Sequence, residues 1–275
     1  MNFLKKHWIF VIWLVLIILL IILKKPFWWG LVLTLLLLLC SLLIHLPNTL
    51  GWAGYFLKTT FHKEDASFSV LEKAHKKGMT SAAPRILYGM DLLKKSRFEE
   101  AKTEFEDVVT IPKLSPVLLK IARQDLGIAY YKCGDLDRAL ATYLVMEKDY
   151  DILSADFYTT LSYFYIMKND LKKAEEVDQK ALGQDESFAG AFDNRGQIRY
   201  QQGRLDEAME YYQRAVQVKD DMPSSYYYMG LIAEKQGKTE DARQYFTAAH
   251  NAPLTGLNTV TRSQVDEKYQ EYLNK

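Results

Sequence analysis

An alanine that returns at a period near 34 residues constrains this chain more than any other feature of its sequence. It stands at Ala101, Ala139, Ala174, Ala208 and Ala242, with spacings of 38, 35, 34 and 34. Twelve residues before each lies a small residue: Gly89, Gly127, Ser162, Gly196 and Gly230. Four residues after each come Phe105, Tyr143, Asp178, Tyr212 and Phe246, and three further on Val108, Met146, Ala181, Ala215 and Ala249. Between the small residue and the alanine sits a turn: Ser96-Arg97, Gly134-Asp135, Asn169-Asp170, Gly203-Arg204 or Gly237-Lys238. A period of this length with one turn inside it predicts a pair of antiparallel helices per repeat. Small residues let the two backbones approach, and the aromatic fills the layer between them. Gly or Asn lets the turn take a positive φ. One such hairpin cannot bury its own apolar face, so the copies must stack, and five copies exceed the three that stacking normally requires. The longer first spacing follows from an inserted loop, Ile111-Pro112-Lys113-Leu114-Ser115-Pro116.

These motifs resemble the tetratricopeptide repeat (TPR) family over residues 82 to about 256. The family's first-helix motif looks like Arg123, Leu126-Gly127 and Tyr130, and again, less completely, Tyr226, Met229-Gly230 and Ala233. The fullest second-helix motif is Gly203-Arg204-Leu205-Asp206-Glu207-Ala208 followed by Tyr212 and Ala215. Two departures fall together: Asp178 replaces an aromatic and Arg195 stands where Leu is usual, which predicts that the third repeat is the softest. The resemblance implies an all-α solenoid with repeats over 82–115, 120–153, 155–188, 189–222 and 223–256. The period projected back from Ala101 and Val108 lands on Ser67 and Ala74, so residues 64–81 read as a half-repeat, a lone second helix. At the other end, residues 257–275 read as a capping helix, with Thr261-Arg262-Ser263-Gln264 as a capping box before Val265, Tyr269, Tyr272 and Leu273.

The resemblance also implies a concave surface lined by set positions of each first helix. Here they are Gln124, Ile128, Tyr131, Thr159, Tyr163, Asp193, Asn194, Gln197, Tyr200, Tyr227 and Leu231. Tyrosines with interspersed amides suit a peptide or protein partner, because Tyr buries a large area and keeps a hydroxyl for hydrogen bonding. The family's carboxylate clamp for chaperone tails is missing: Ile86, Met90 and Asp125 occupy the positions of its Lys and two Asn residues.

Charge divides the chain. Residues 1 to 62 hold five Lys and no Asp or Glu, leaving 30 basic and 34 acidic residues for the rest. No part carries the positive surplus that nucleic-acid binding needs. From Trp8 to Leu23 all 16 residues are apolar, and after Lys24-Lys25-Pro26 the 20 residues from Phe27 to Leu46 carry no formal charge. Helices of those lengths would reach about 24 and 30 Å, against a bilayer core of about 30 Å. Trp8 and Trp52 would sit at one interface, Trp28 and Trp29 at the other. Residues 1–47 are therefore expected to be a transmembrane helical hairpin, with spans at about 8–23 and 27–46, and 48–63 an interfacial connector. Lys5, Lys6, Lys58 and Lys63 outnumber Lys24 and Lys25, which favours a cytoplasmic repeat domain. Cys40 and Cys133 form no disulfide framework.

The sequence points to no catalytic centre, metal site or cofactor. None of His7, His45, His62, His75 and His250 has a second ligand at zinc spacing, and no phosphate-cradling Gly loop is present. Acidic pairs such as Glu99-Glu100 and Glu175-Glu176 read as solvated helix faces. The expectation is a non-enzymatic, integral-membrane scaffold or adaptor that binds a protein or peptide partner and the lipid bilayer, but no nucleic acid. The alternative is an accessory subunit of a transporter or membrane enzyme complex, in which Thr34, Ser41 and His45 make the hairpin the working part.

Overall fold

The computed structural model describes Val15 and residues 27–273. The first expected span, 8–23, lies outside the described residues except for Val15, as does the Lys24-Lys25-Pro26 interruption. Every regular element among the described residues is helical, with no strand. The chain forms two compact units, one ending at Tyr88 and the other beginning at Gly89.

The first unit holds α1 (Phe27–Thr59) and α2 (Glu64–Lys76), followed by the start of α3 (Ala82–Lys94). Leu31, Leu35, Leu38, Leu39 and Leu43 of α1 are exposed. The helix bends by 43° between Thr34–Ser41 and Leu43–Thr59. Pro47 accounts for the place of the bend: its ring opposes the Leu43 carbonyl one turn earlier and removes the N–H that would bond it. No single helix among the described residues is long and apolar enough to cross a membrane; the two limbs of α1 pass that test only as a bent pair, by length and composition.

Residues 48–59, expected as a connector, continue α1 without a break. They also supply the partner that the lone helix over 64–81 seemed to lack, so that reading is corrected: α1 and α2 form a packed helix pair. A Cβ on Gly54 would stand 2.7 Å from the Leu71 side chain, and one on Gly51 would collide with Met79. The buried Ser67 hydroxyl donates to the Gly54 carbonyl at 2.7 Å. Small residues in one helix facing bulk in the next are the repeat's own packing device, placed here in an apolar sequence. Asn48 then accepts from the backbone N–H groups of Thr80 and Ser81, at 2.8 and 2.9 Å, next to the start of α3.

In the second unit the helices alternate as the period predicts. After α3 come α4 (Phe98–Val109), α5 (Pro116–Lys132), α6 (Leu136–Asp149), α7 (Ala155–Met167) and α8 (Leu171–Gln184). Then follow α9 (Ala189–Gln201), α10 (Leu205–Val218), α11 (Pro223–Lys235), α12 (Thr239–Asn251) and α13 (Arg262–Leu273). The turn residues Ser96, Gly134, Asn169, Gly203 and Gly237 all take positive φ, between 59° and 87°. Asp135, Ser154 and Asp170 cap the helices that follow them through backbone N–H groups.

Most helix-pair cores are a ring packed on a glycine. A Cβ at Gly89, Gly127, Gly196 or Gly230 would stand 2.5 to 2.7 Å from the ring of Phe105, Tyr143, Tyr212 or Phe246. Those four rings are fully buried. Three of them also join neighbouring layers: Tyr143 stacks on Phe157 with centroids 4.6 Å apart, Tyr212 on Tyr228 at 5.6 Å, and Phe246 meets Tyr272 of the cap at 5.1 Å. One side chain thus closes its own hairpin and holds the next, where burial alone is worth about 2 to 3 kcal/mol.

The third repeat keeps this architecture by different chemistry. Asp178, in the ring position, accepts from Arg195 Nε at 2.9 Å, and Arg195 also donates to Gln179 at 2.7 Å. The small position opposite is Ser162 rather than Gly, and its hydroxyl donates to the Ala174 carbonyl at 2.9 Å. With no ring to admit, no glycine is needed. The two departures from the repeat pattern are one buried interaction.

The capping box forms as its spacing predicts: Thr261 N–H donates to Gln264 Oε1 at 2.8 Å, and Gln264 N–H to Thr261 Oγ1 at 3.3 Å. The helix itself begins at Arg262, later than the expected 257. Lys268 and Tyr272 both donate to Glu234, at 2.8 and 2.9 Å, fixing α13 to the last repeat.

Candidate functional site

The residues assigned to the concave face lie on successive first helices of the second unit. Gln124, Ile128 and Tyr131 are on α5; Thr159 and Tyr163 on α7; Asp193, Asn194, Gln197 and Tyr200 on α9; Tyr227 and Leu231 on α11. They divide by burial. Thr159, Tyr163, Asp193, Asn194 and Gln197 are at most 9% exposed. Several of these hold neighbouring helices together. Asn194 donates to the Thr159 carbonyl at 2.8 Å, and the hydroxyls of Tyr131 and Tyr163 meet at 2.9 Å. Ser225 donates to Asp193. Gln124, Ile128, Tyr131, Tyr200, Tyr227 and Leu231 are half-buried and leave part of their surface to solvent. Tyr200 packs edge-on against Tyr228, and the Lys235 ammonium lies 4.4 Å from the centre of the Tyr200 ring.

Burial sets the electrostatics. Desolvation pushes the Asp193 carboxyl up to about 6, against the opposing hydrogen bond from Ser225. The same cause raises Asp125 to about 7, and its Oδ2 is buried without a partner. Gln197 Oε1 is likewise buried and unpaired. These helices therefore carry acceptor capacity that the chain itself does not fill.

A second feature was not legible in the repeat pattern. The segment between α12 and α13 returns to the early repeats of the unit. Gly256 N–H donates to the Lys94 carbonyl at 2.8 Å, and Lys132 Nζ donates to the Asn258 carbonyl at 2.7 Å, 126 residues away in sequence. Gly256 is required there, because a Cβ would run into the Leu93 carbonyl oxygen. Val260 is buried in a cluster with Tyr226, Tyr227 and Tyr228. Between this segment and the turns at residues 94–98 and 131–134 lies a pocket of about 740 Å³. The sequence signal was the run Pro253-Leu254-Thr255-Gly256, which breaks the period after Asn251.

Cys133 and His250 are each held by their surroundings. Burial, then Glu99, pushes the Cys133 thiol up to about 11, away from the thiolate that a nucleophile needs. His250 bonds Asp266 at 2.9 Å and stacks on Tyr269, tying α12 to the cap. Among the described residues no three His, Cys, Asp or Glu side chains come together as metal ligands would.

Comparison with known proteins agrees with this architecture. Residues 196–237 match a family model described as TPR repeat, and residues 224–252 one described as tetratricopeptide repeat. No curated protein matches the sequence. Among solved structures, TTC0263, a thermophilic TPR protein of Thermus thermophilus, aligns with a TM-score of 0.59 and 17% identity, over 71% of this chain and 100% of its own. The APC/C hetero-tetramer Cut9-Hcn1 aligns at 0.56 and 14%, over 86% of this chain and 42% of the other. At these identities the likeness is one of fold. Residues 196–252 carry tetratricopeptide repeats, and the described repeats form an all-helical, TPR-like solenoid.

Proposed function

We propose that this chain is a membrane-anchored TPR scaffold that receives a protein or peptide partner on the concave face of its repeats. TPR proteins in general bind such partners. The observation that carries the reading is the loop 254–260, folded into a turn at Thr255–Asn258, which the repeats already hold against themselves. It is held by backbone hydrogen bonds at Gly256 and Asn258 and by an apolar side chain, Val260, among tyrosines. A partner would use the same vocabulary on the half-buried Tyr200, Tyr227 and Leu231. Selection of peptides from a displayed library against the full chain tests this. Binding should fall at least about tenfold on Tyr200→Ala or Tyr227→Ala, the loss expected when an interface aromatic is truncated. Peptides that bind those variants unchanged, while circular dichroism shows the helices intact, would refute the assignment.

Anchoring is the second part of the proposal. The exposed leucines of α1 and the apolar run 8–23 support a helical hairpin in the bilayer, with the repeat domain on the cytoplasmic side by its lysine bias. The continuity of α1 into the first helix pair would then place the start of the repeats at the membrane surface. Extraction at alkaline pH and protease protection in sealed vesicles test insertion and orientation. Release of the intact chain by alkali would refute insertion.

A further inference from the structure

The pocket beneath the C-terminal segment has a chemical bias that the proposed partner groove does not share. Lys94, Lys95, Lys132 and Arg262 line it, and no Asp or Glu does. Arg262 is engaged, donating to the His250 carbonyl at 3.1 Å with Asp266 at 3.7 Å. Lys94 and Lys132 form no ion pair among the described residues. Lys132 is the most confined of the four. Its ammonium meets one backbone carbonyl and lies 5.8 to 5.9 Å from the rings of Tyr131 and Phe98. Desolvation lowers it to about 8, the sign of a cation held out of water without a counter-charge. The buried Thr259 hydroxyl has no partner. Glu99 and Glu100 line an adjoining pocket that Lys132 also borders, and they are paired with Lys102 and Arg97.

A cation in a cavity without carboxylates is stabilised by an anion from outside, and its hydrogen bond to an ionised oxygen is about twice as strong as a neutral one. Phe98, Tyr131, Leu254 and Val260 give the same cavity apolar walls. Its volume exceeds that of a bare phosphate and suits a compact organic group. We propose that this pocket binds an oxyanion, phosphate or carboxylate, carried on a small apolar body, with Lys94 and Lys132 as cations and the Thr259 hydroxyl as a further donor. The site adjoins the assigned peptide groove at Tyr131, but none of its cations is among the positions assigned to that groove. Because one wall is the segment 254–262, the ligand would tie that segment to the turns of the early repeats.

The test uses the full chain in a non-ionic detergent, with three probes in separate titrations: inorganic phosphate, phenyl phosphate and phenylacetate. Calorimetry should detect saturable binding of at least one probe below about 10 mM. Binding of phenyl phosphate or phenylacetate is expected, and binding of inorganic phosphate alone would overturn the apolar body. Lys132→Met and Lys94→Met should each weaken binding by about tenfold or more, and Lys132→Arg should retain it. Phenyl phosphate should also raise the thermal midpoint of the wild-type chain. The proposal is overturned if none of the three binds, or if binding survives Lys94→Met in a protein whose circular dichroism is unchanged. Lys94 lies at a helix end and is half-buried, so its variant keeps the test valid even where Lys132→Met fails to fold.

Discussion

Replacing the Asp178–Arg195 pair gives the sharpest test of how these repeats are held together. Asp178 is fully buried and Arg195 about one-fifth exposed, 2.9 Å apart. Asp178→Ala leaves the guanidinium hydrogen-bonded to Gln179 alone and opens a void where other repeats hold a ring. Breaking a buried pair costs about 3 to 5 kcal/mol, and the partial exposure of Arg195, with burial raising the Asp178 carboxyl to about 7 so that the pair is only partly ionised near neutral pH, places this case at the lower end. Restoring the repeat pattern should work differently. Leu126 and Met229 occupy the position of Arg195 in other repeats and are almost fully buried, so Arg195→Leu fits that layer. Asp178→Phe fits only with Ser162→Gly, because the other four rings sit where a Cβ opposite would be 2.5 to 2.7 Å away. The triple variant should match or exceed wild type by about 1 to 4 kcal/mol. Without Ser162→Gly, the double variant should lose about 1 to 3 kcal/mol to overpacking. Hydrogen exchange over α7–α9, read with the urea midpoint of the full chain, measures both the size and the place of the effect. Equal stability of double and triple variants would refute the ring-on-glycine account. A change below about 1 kcal/mol in Asp178→Ala would refute the pairing, being smaller than any buried-pair loss.

The same packing predicts opposite signs for two glycine substitutions. Gly127→Ala should destabilise by about 1 to 3 kcal/mol through its collision with Tyr143, whereas Gly183→Ala, with open space around it in α8, should stabilise by about 0.5 to 1 kcal/mol. Thermal denaturation by circular dichroism checks both. Asp125 and Asp178 are raised by burial to about 7 and Asp193 to about 6, so the folded state holds protons that the unfolded chain releases near 4. Their contribution to stability is full below about pH 4 and is lost as pH rises towards 7; Glu99, Asp135 and Asp170 are shifted down and act below that window. Urea midpoints should therefore fall between about pH 5 and 7.5, and Asp193→Asn should flatten the slope. A midpoint rising over that range with wild-type slope in Asp193→Asn would contradict the assignment. Gly256→Ala should dislodge the C-terminal segment, seen as faster hydrogen exchange and protease cleavage over 252–261 while α5–α11 stay protected. Unchanged protection there would show the contact with Leu93 to be dispensable.

The repeats were legible because their packing is periodic. A glycine and a ring sixteen residues apart recur in four of the five copies, so spacing alone announces the contact. Asp178 and Arg195 were visible as departures, but their pairing joins two repeats and follows only from geometry. The partner of α2 was hidden because Gly51 and Gly54 close an apolar run, which masks a packed helix as a membrane exit. The return of residues 254–260 had no signal beyond turn residues. It rests on single contacts such as Lys132 with Asn258, which no period repeats. For the residues assigned to a concave face, the period gave the helices that carry them, while the division between buried and half-exposed members depends on how tightly neighbouring helices close, which a spacing does not encode.

Photo-crosslinking in the native membrane, with a photoreactive residue at Tyr200 or Tyr227 and a control at the exposed Glu210 of α10, tests the central claim most directly. A partner received on the concave face predicts discrete adducts from both tyrosine positions and none from Glu210. Adducts from Glu210 alone, or the same pattern from all three positions, would contradict it.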